Sequence, residues 1–196
     1  MIDTNQLPPK PFLRSSAIVA ALLLTGVIGW MIESRAQVLR DGQEAVLQTE
    51  PIDPRDLLRG RYVVLNYAIA RPDPDVVRQF FETLPDDRFY RDETIYVALA
   101  MGEDGFHNVS AISLKKPEEG LFLRARASFT PNLNGDLRAN YGIGRFYTNE
   151  KLAPELEARM RNGETTIVVV AVDANGTAQI KAFQQDGVNI VTERLY

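Results

Sequence analysis

The chain has 196 residues, 45% of them hydrophobic and 24% charged, with a formal charge of −4, no cysteine and one histidine. This composition suits a folded domain and is unlike a disordered chain or a polytopic membrane protein. The missing cysteines exclude disulfides, thiolate metal sites and cysteine nucleophiles, and the acidic balance argues against nucleic acid as a partner.

Residues 1–14 read as a flexible tail, because Leu7-Pro8-Pro9-Lys10-Pro11 is too rich in proline for a helix. Ser15–Ile32 is free of charge and bounded by Arg14 and Glu33. As a helix it reaches roughly 27 Å, close to the hydrocarbon thickness of a bilayer. Trp30 sits near one end, where an indole favours the membrane interface. The segment therefore reads as a transmembrane anchor through the lipid bilayer. A signal peptide cleaved near Ser34-Arg35-Ala36 and a buried soluble helix are the alternatives. The flanking cations tie, Lys10 and Arg14 against Arg35 and Arg40. The short leading tail tips the orientation towards an N-terminus inside and a C-terminal domain in the periplasm.

The first 36 residues hold three basic and two acidic side chains, which leaves −5 on residues 37–196. That stretch is long enough for one substantial core and shows no internal repeat. Strands are expected at Glu44–Thr49, Tyr62–Ile69, Thr94–Met101, Val109–Leu114 and Leu121–Ser128, then Leu137–Tyr141, Thr165–Val172, Ala178–Phe183 and Val188–Thr192. Asp104-Gly105 and Asn175-Gly176 are hairpin turns, and Pro117 with Gly120 and Asn134-Gly135 suit longer connections. Thr165–Val172 is apolar on both faces and reads as a central strand. In Leu121–Ser128, Leu121, Leu123, Ala125 and Ala127 share one face, with Phe122, Arg124 and Arg126 on the other. Helices are expected at Asp75–Leu84, where Val76, Val77, Phe80, Phe81 and Leu84 form one stripe, and at about residues 150–162. The class is α+β, predominantly antiparallel β, sandwich or barrel-like, with two short helices after one N-terminal transmembrane helix.

Residues 51–67, PIDPRDLLRGRYVVLNY, suggest a helical turn feeding a strand. Asp53 caps the turn, Pro54 and Arg55 open it, Asp56 reaches back towards the cap, and Gly60 ends it. The strand then puts Val63, Leu65, Tyr67 and Ile69 on one face and Tyr62 and Val64 on the other. Gly60-Arg61-Tyr62-Val63-Val64-Leu65-Asn66-Tyr67 resembles the signature of the GDYXXLXY family of membrane-anchored bacterial proteins. Tyr141-Gly142-Ile143, Phe146-Tyr147 and Glu150 are similar to a later segment of that family. Arg61 stands where the signature has aspartate, which reverses the charge there. The family carries no established molecular activity. The resemblance implies location in the bacterial cytoplasmic membrane, and a partner that is a polytopic membrane protein or another membrane complex.

No catalytic constellation, cofactor site or metal site stands out. Ser113 and Lys115 lie two apart, but in a polar turn where a lysine keeps its charge. His107 opens a strand after a turn and is expected to be exposed. Glu150 gains a chemical role only beside Tyr67 or Tyr141. Arg59, Arg61, Arg124 and Arg126 form a candidate basic patch, suited to lipid headgroups or an acidic partner if the fold gathers them. The leading expectation is an interaction or accessory module for a membrane protein. The alternative is an envelope-facing enzyme or ligand-binding domain for carbohydrate or lipid, with a pocket near Tyr67, Tyr141 and Glu150.

Overall fold

The computed structural model describes residues 10–50, 62–85, 88–131, 136–147, 166–185 and 188–192. The chain divides into two compact units, Met1–Gln37 and Val38–Tyr196. The first unit holds most of helix α1 (Lys10–Asp41), whose span Ser15–Asp41 contains an 18-residue window of mean hydropathy 2.0. None of that window is buried, and Leu22, Leu23 and Trp30 stand largely exposed at 68%, 66% and 74%. Large aliphatic side chains without protein cover on every side of a helix belong in lipid rather than water. The helix is long enough for a single membrane pass, and it runs on past the apolar segment to Asp41. Arg40 in its last turn complements the helix dipole.

The second unit is a mixed α+β domain with two main antiparallel sheets. Strands β1 (Gln43–Glu50), β2 (Tyr62–Val64) and β3 (Asn66–Tyr67) come first, then a 3-10 turn (Ala68–Ala70) and helix α2 (Pro74–Glu82). Strands β4 (Tyr90–Met101), β5 (His107–Ser113), β6 (Phe122–Phe129), β7 (Arg145–Tyr147), β8 (Thr166–Val172), β9 (Ala178–Gln185) and β10 (Val188–Thr192) follow. The larger sheet has the order β10-β9-β8-β1-β3, the smaller one β5-β4-β6, and β2 pairs with β7 alone. Strand β8 is central between β1 and β9, and Val168, Val169, Val170 and Ala171 are all buried, as its two apolar faces require.

One core joins both sheets: Leu47, Val168, Val170 and Phe183 from the larger, Ile95, Val97, Leu123 and Ala125 from the smaller. Asp73 caps α2 by accepting the Asp75 N–H at 2.8 Å, with Pro74 in the first turn. The helix buries Val77, Phe80 and Phe81. Phe80 and Phe81 lie 5.5 and 5.6 Å from the Phe129 ring, on which Tyr90 also stacks at 4.9 Å. Each such side chain contributes about 1.5–3 kcal/mol by leaving water.

Four local expectations are corrected. No sheet closes into a barrel among the described residues, because the outer edge of β6 is capped by loops. There the Arg124 N–H donates to Gly176 O at 2.7 Å, and Arg126 exchanges both main-chain bonds with Asn140. Tyr62–Ile69 is not one strand: it pairs first with β7, then with β1, and ends in the 3-10 turn. Residues 137–141 form only the Arg126–Asn140 bridge, and the added strand lies further on, at Arg145–Tyr147. His107 is half-buried, its Nδ1 accepting the Val46 N–H at 3.0 Å and so tying β5 to the side of β1. The helix expected at about 150–162 lies outside the described residues.

Candidate functional site

The two segments that carry the family resemblance meet in space. Leu65, at the point where the chain changes strand partner, donates its N–H to Gly144 O at 2.9 Å, and Ala139 N–H donates to Ala70 O at 2.9 Å. Between these main-chain ties two side chains cross in opposite directions. The Tyr67 hydroxyl donates to Ile143 O at 2.9 Å and the Tyr141 hydroxyl to Ile69 O at 2.8 Å, across 76 and 72 residues of sequence. Both bonds are buried, and Leu65 and Tyr67 face the core as the alternation required. Desolvation on burial pushes both phenols well above their ordinary value of 10.0, so they stay neutral donors.

Gly142 follows Tyr141 with φ +76°, and its N–H is accepted by Asn140 Oδ1 at 3.0 Å. The left-handed turn aims Tyr141 inward and returns the chain to β7, and glycine takes that conformation without strain. Tyr62 contributes main-chain pairing with Tyr147. Asp53, Arg55, Asp56, Arg59, Gly60, Arg61 and Glu150 lie outside the described residues. Tyr67 of the signature and Tyr141 of the later segment are therefore brought together as a reciprocal clasp, and their hydroxyls are engaged by main-chain carbonyls.

Next to the clasp are two open cavities. One, of about 540 Å³, runs along Val64–Tyr67, Asp92, Ser128 and Arg138–Tyr141. The other, of about 600 Å³, lies over Thr94, Tyr96, Arg124 and Arg126, with Gly142 and Thr177 at its sides. Arg126, Asn140 and Tyr141 border both. Arg126 is held in place: its Nη1 donates to the Asp92 carbonyl at 2.7 Å and lies 3.7 Å from Asp92 Oδ2. Asp92 itself sits at φ +46° in a bulge of β4, with its N–H on Ser128 Oγ at 2.9 Å. Positive φ at a non-glycine residue stores strain, and bulges re-aim side chains. Arg124 Nη2 donates to Thr177 Oγ1 at 3.2 Å.

Of the expected basic patch, Arg124 and Arg126 thus share one exposed face. Arg138, Asn140, Asp92 and Tyr96 join them without any signal in their local sequence beyond the Asn140-Tyr141-Gly142 turn. Ser113 Oγ accepts the main-chain N–H of Lys115 at 3.0 Å, a local turn contact rather than a catalytic pair. No group of three histidine or carboxylate side chains among the described residues is placed to hold a metal.

An anchored α+β domain fastened by paired tyrosines is the class of protein that this architecture defines. The family model described as GDYXXLXY protein matches residues 24–183, and the chain belongs to that family. No curated protein and no solved structure matches it.

Proposed function

We propose that this is an accessory module that presents its β-rich domain to a polytopic membrane protein on the periplasmic face of the cytoplasmic membrane, with the N-terminus inside. On this reading residues 1–14 are the cytoplasmic tail, 15–32 the anchor and 37–196 the presented domain. The observation that carries it is the engagement of Tyr67 and Tyr141 by main-chain carbonyls. Those residues serve as ties of the fold, which favours a rigid presented surface over a catalytic cleft. The uncovered apolar helix supports the membrane setting.

Crosslinking in intact cells, followed by mild detergent extraction and identification of the linked proteins, tests the partner. One specific polytopic protein recovered by reciprocal capture is the expected result. A monomer that crosslinks to nothing across several detergents overturns the reading. Reporter fusions at the two termini test the orientation: activity of a periplasmic reporter at the N-terminus would reverse it. The catalytic alternative rests on Tyr67, Tyr141 and Glu150 converging with a free acid or base. With both hydroxyls committed, no specific observation favours it.

A further inference from the structure

We propose that the groove around Arg126 is the recognition site of the module, and that its ligand is an extended acidic peptide segment of the membrane partner with carboxylates at alternate positions; this rests on the accessory-module reading above. Arg124 and Arg126 project from the same face of β6, about 6.8 Å apart along the strand. Acidic side chains two residues apart in an extended peptide recur with that same pitch, so each can meet one guanidinium. Arg138, on the other side of Asn140, extends the cationic lining into the neighbouring cavity.

The surroundings favour a peptide over other anions. Asn140–Gly142 and the turn at Thr177 flank the groove, so its exposed arginines stand in a row along β6. Tyr96, the aromatic side chain at the Arg124 end, makes a T-shaped contact with Phe122 at 5.9 Å and 70°, which holds its ring in place beside the groove. Thr94, Asn140 and Thr177 supply the neutral donors and acceptors that a peptide main chain uses. The domain around the groove is acidic overall, so a local cationic row selects its ligand by charge and by position.

Two of the cations are preorganised. Arg126 is fixed by the Asp92 carbonyl through one terminal nitrogen, and Arg124 by Thr177. Guanidinium has five N–H donors, so each keeps donors for a carboxylate. Fixing the side chains beforehand reduces the ordering cost of binding.

The test uses the full chain in zwitterionic nanodiscs and a fluorescein-labelled peptide of alternating glutamate and threonine. The controls are a peptide of the same composition with its glutamates contiguous, polygalacturonate, and vesicles containing phosphatidylglycerol. The alternating peptide is expected to bind best and to weaken as ionic strength rises. Arg124→Gln and Arg138→Gln should each weaken it about threefold to fivefold, with no change in the unfolding midpoint. Equal binding of the contiguous peptide, the polysaccharide or the vesicles overturns the proposal, as does peptide binding that neither substitution alters. If the peptide fails while a polytopic partner still crosslinks, the groove assignment falls and the accessory reading stands. If the peptide binds as expected while no partner crosslinks, the groove stands and the accessory reading falls.

Discussion

Replacing Tyr67 and Tyr141 by phenylalanine, singly and together, tests whether the clasp holds the domain. Each substitution keeps the ring and removes one O–H donor, leaving the carbonyl of Ile143 or Ile69 buried without that partner. Such a loss costs about 1–3 kcal/mol. The two bonds fasten the same pair of segments, so breaking one loosens the other. The double variant is therefore expected to lose less than the sum of the singles, with a coupling of about 0.5–1 kcal/mol. Urea unfolding of the detergent-solubilised full chain, followed by far-ultraviolet circular dichroism, measures this. Fluorescence would not, because the single tryptophan, Trp30, lies in the anchor.

Alkaline pH gives an independent reading. Both phenols are raised above 10.0 in the folded state by burial. Below about pH 10 their contribution is fully present; above it the unfolded chain releases protons that the native state retains. Stability then falls with rising pH by about 1.4 kcal/mol per unit for each tyrosine, or about 2.7 for the pair. The double phenylalanine variant should lack that part of the alkaline slope. Wild-type midpoints in both single variants, together with an unchanged alkaline slope in the double, would refute the clasp.

The two turn glycines should separate conformational strain from crowding. Gly142→Ala meets open space and carries only the cost of φ +76°, about 1–2 kcal/mol, whereas Gly176→Ala adds a Cβ 2.8 Å from Arg124 N and from the Phe122 ring and should cost about 2–4 kcal/mol. Equal thermal shifts for the two would contradict the docking of that turn on β6. His107→Phe leaves the Val46 N–H without its acceptor and should cost about 1 kcal/mol, while His107→Asn restores part of that in the same unfolding assay. Leu65→Ala should cost about 2–4 kcal/mol and Val64→Ala less than about 1, read from the same urea midpoints; the reverse order would mean that the signature strand faces the other way.

Much of this domain was legible in the sequence where pattern and local chemistry agree. Strand β8 announced itself by valines on both faces, α2 by its apolar stripe, and the two hairpins by Asp104-Gly105 and Asn175-Gly176. The Asp73 cap and Pro74 start of α2 emerged only in the structure. The break at Leu65 was not legible, because its alternation continues unbroken while the hydrogen-bond partner changes from β7 to β1. Partner identity is a long-range property that periodicity does not encode. Residues 137–141 alternate like a strand but serve as a strap on the edge of β6, with only Asn140 bridged. Arg124 and Arg126 could be put on one face by counting in twos. Arg138 and Asp92 could not, since they reach the groove from a loop and a bulge whose course the tertiary fold sets.

The signature spacing has a mechanical reason. A chain that leaves one strand partner for another needs a residue at the switch whose main chain is satisfied elsewhere and whose side chain is buried, and Leu65 does both through Gly144 and the core. Two residues on, the same face brings Tyr67 under the returning segment, where its hydroxyl closes a bond that Tyr141 answers from the opposite side. These residues are consumed internally, so they set the rigidity of the domain and leave recognition to others. The exposed arginines of β6 and the strap lie next to the clasp but make no bond to either tyrosine hydroxyl. Recognition can therefore change at Arg124 or Arg138 while the fold stays fastened, and clasp variants should lose binding only as far as they lose folded protein.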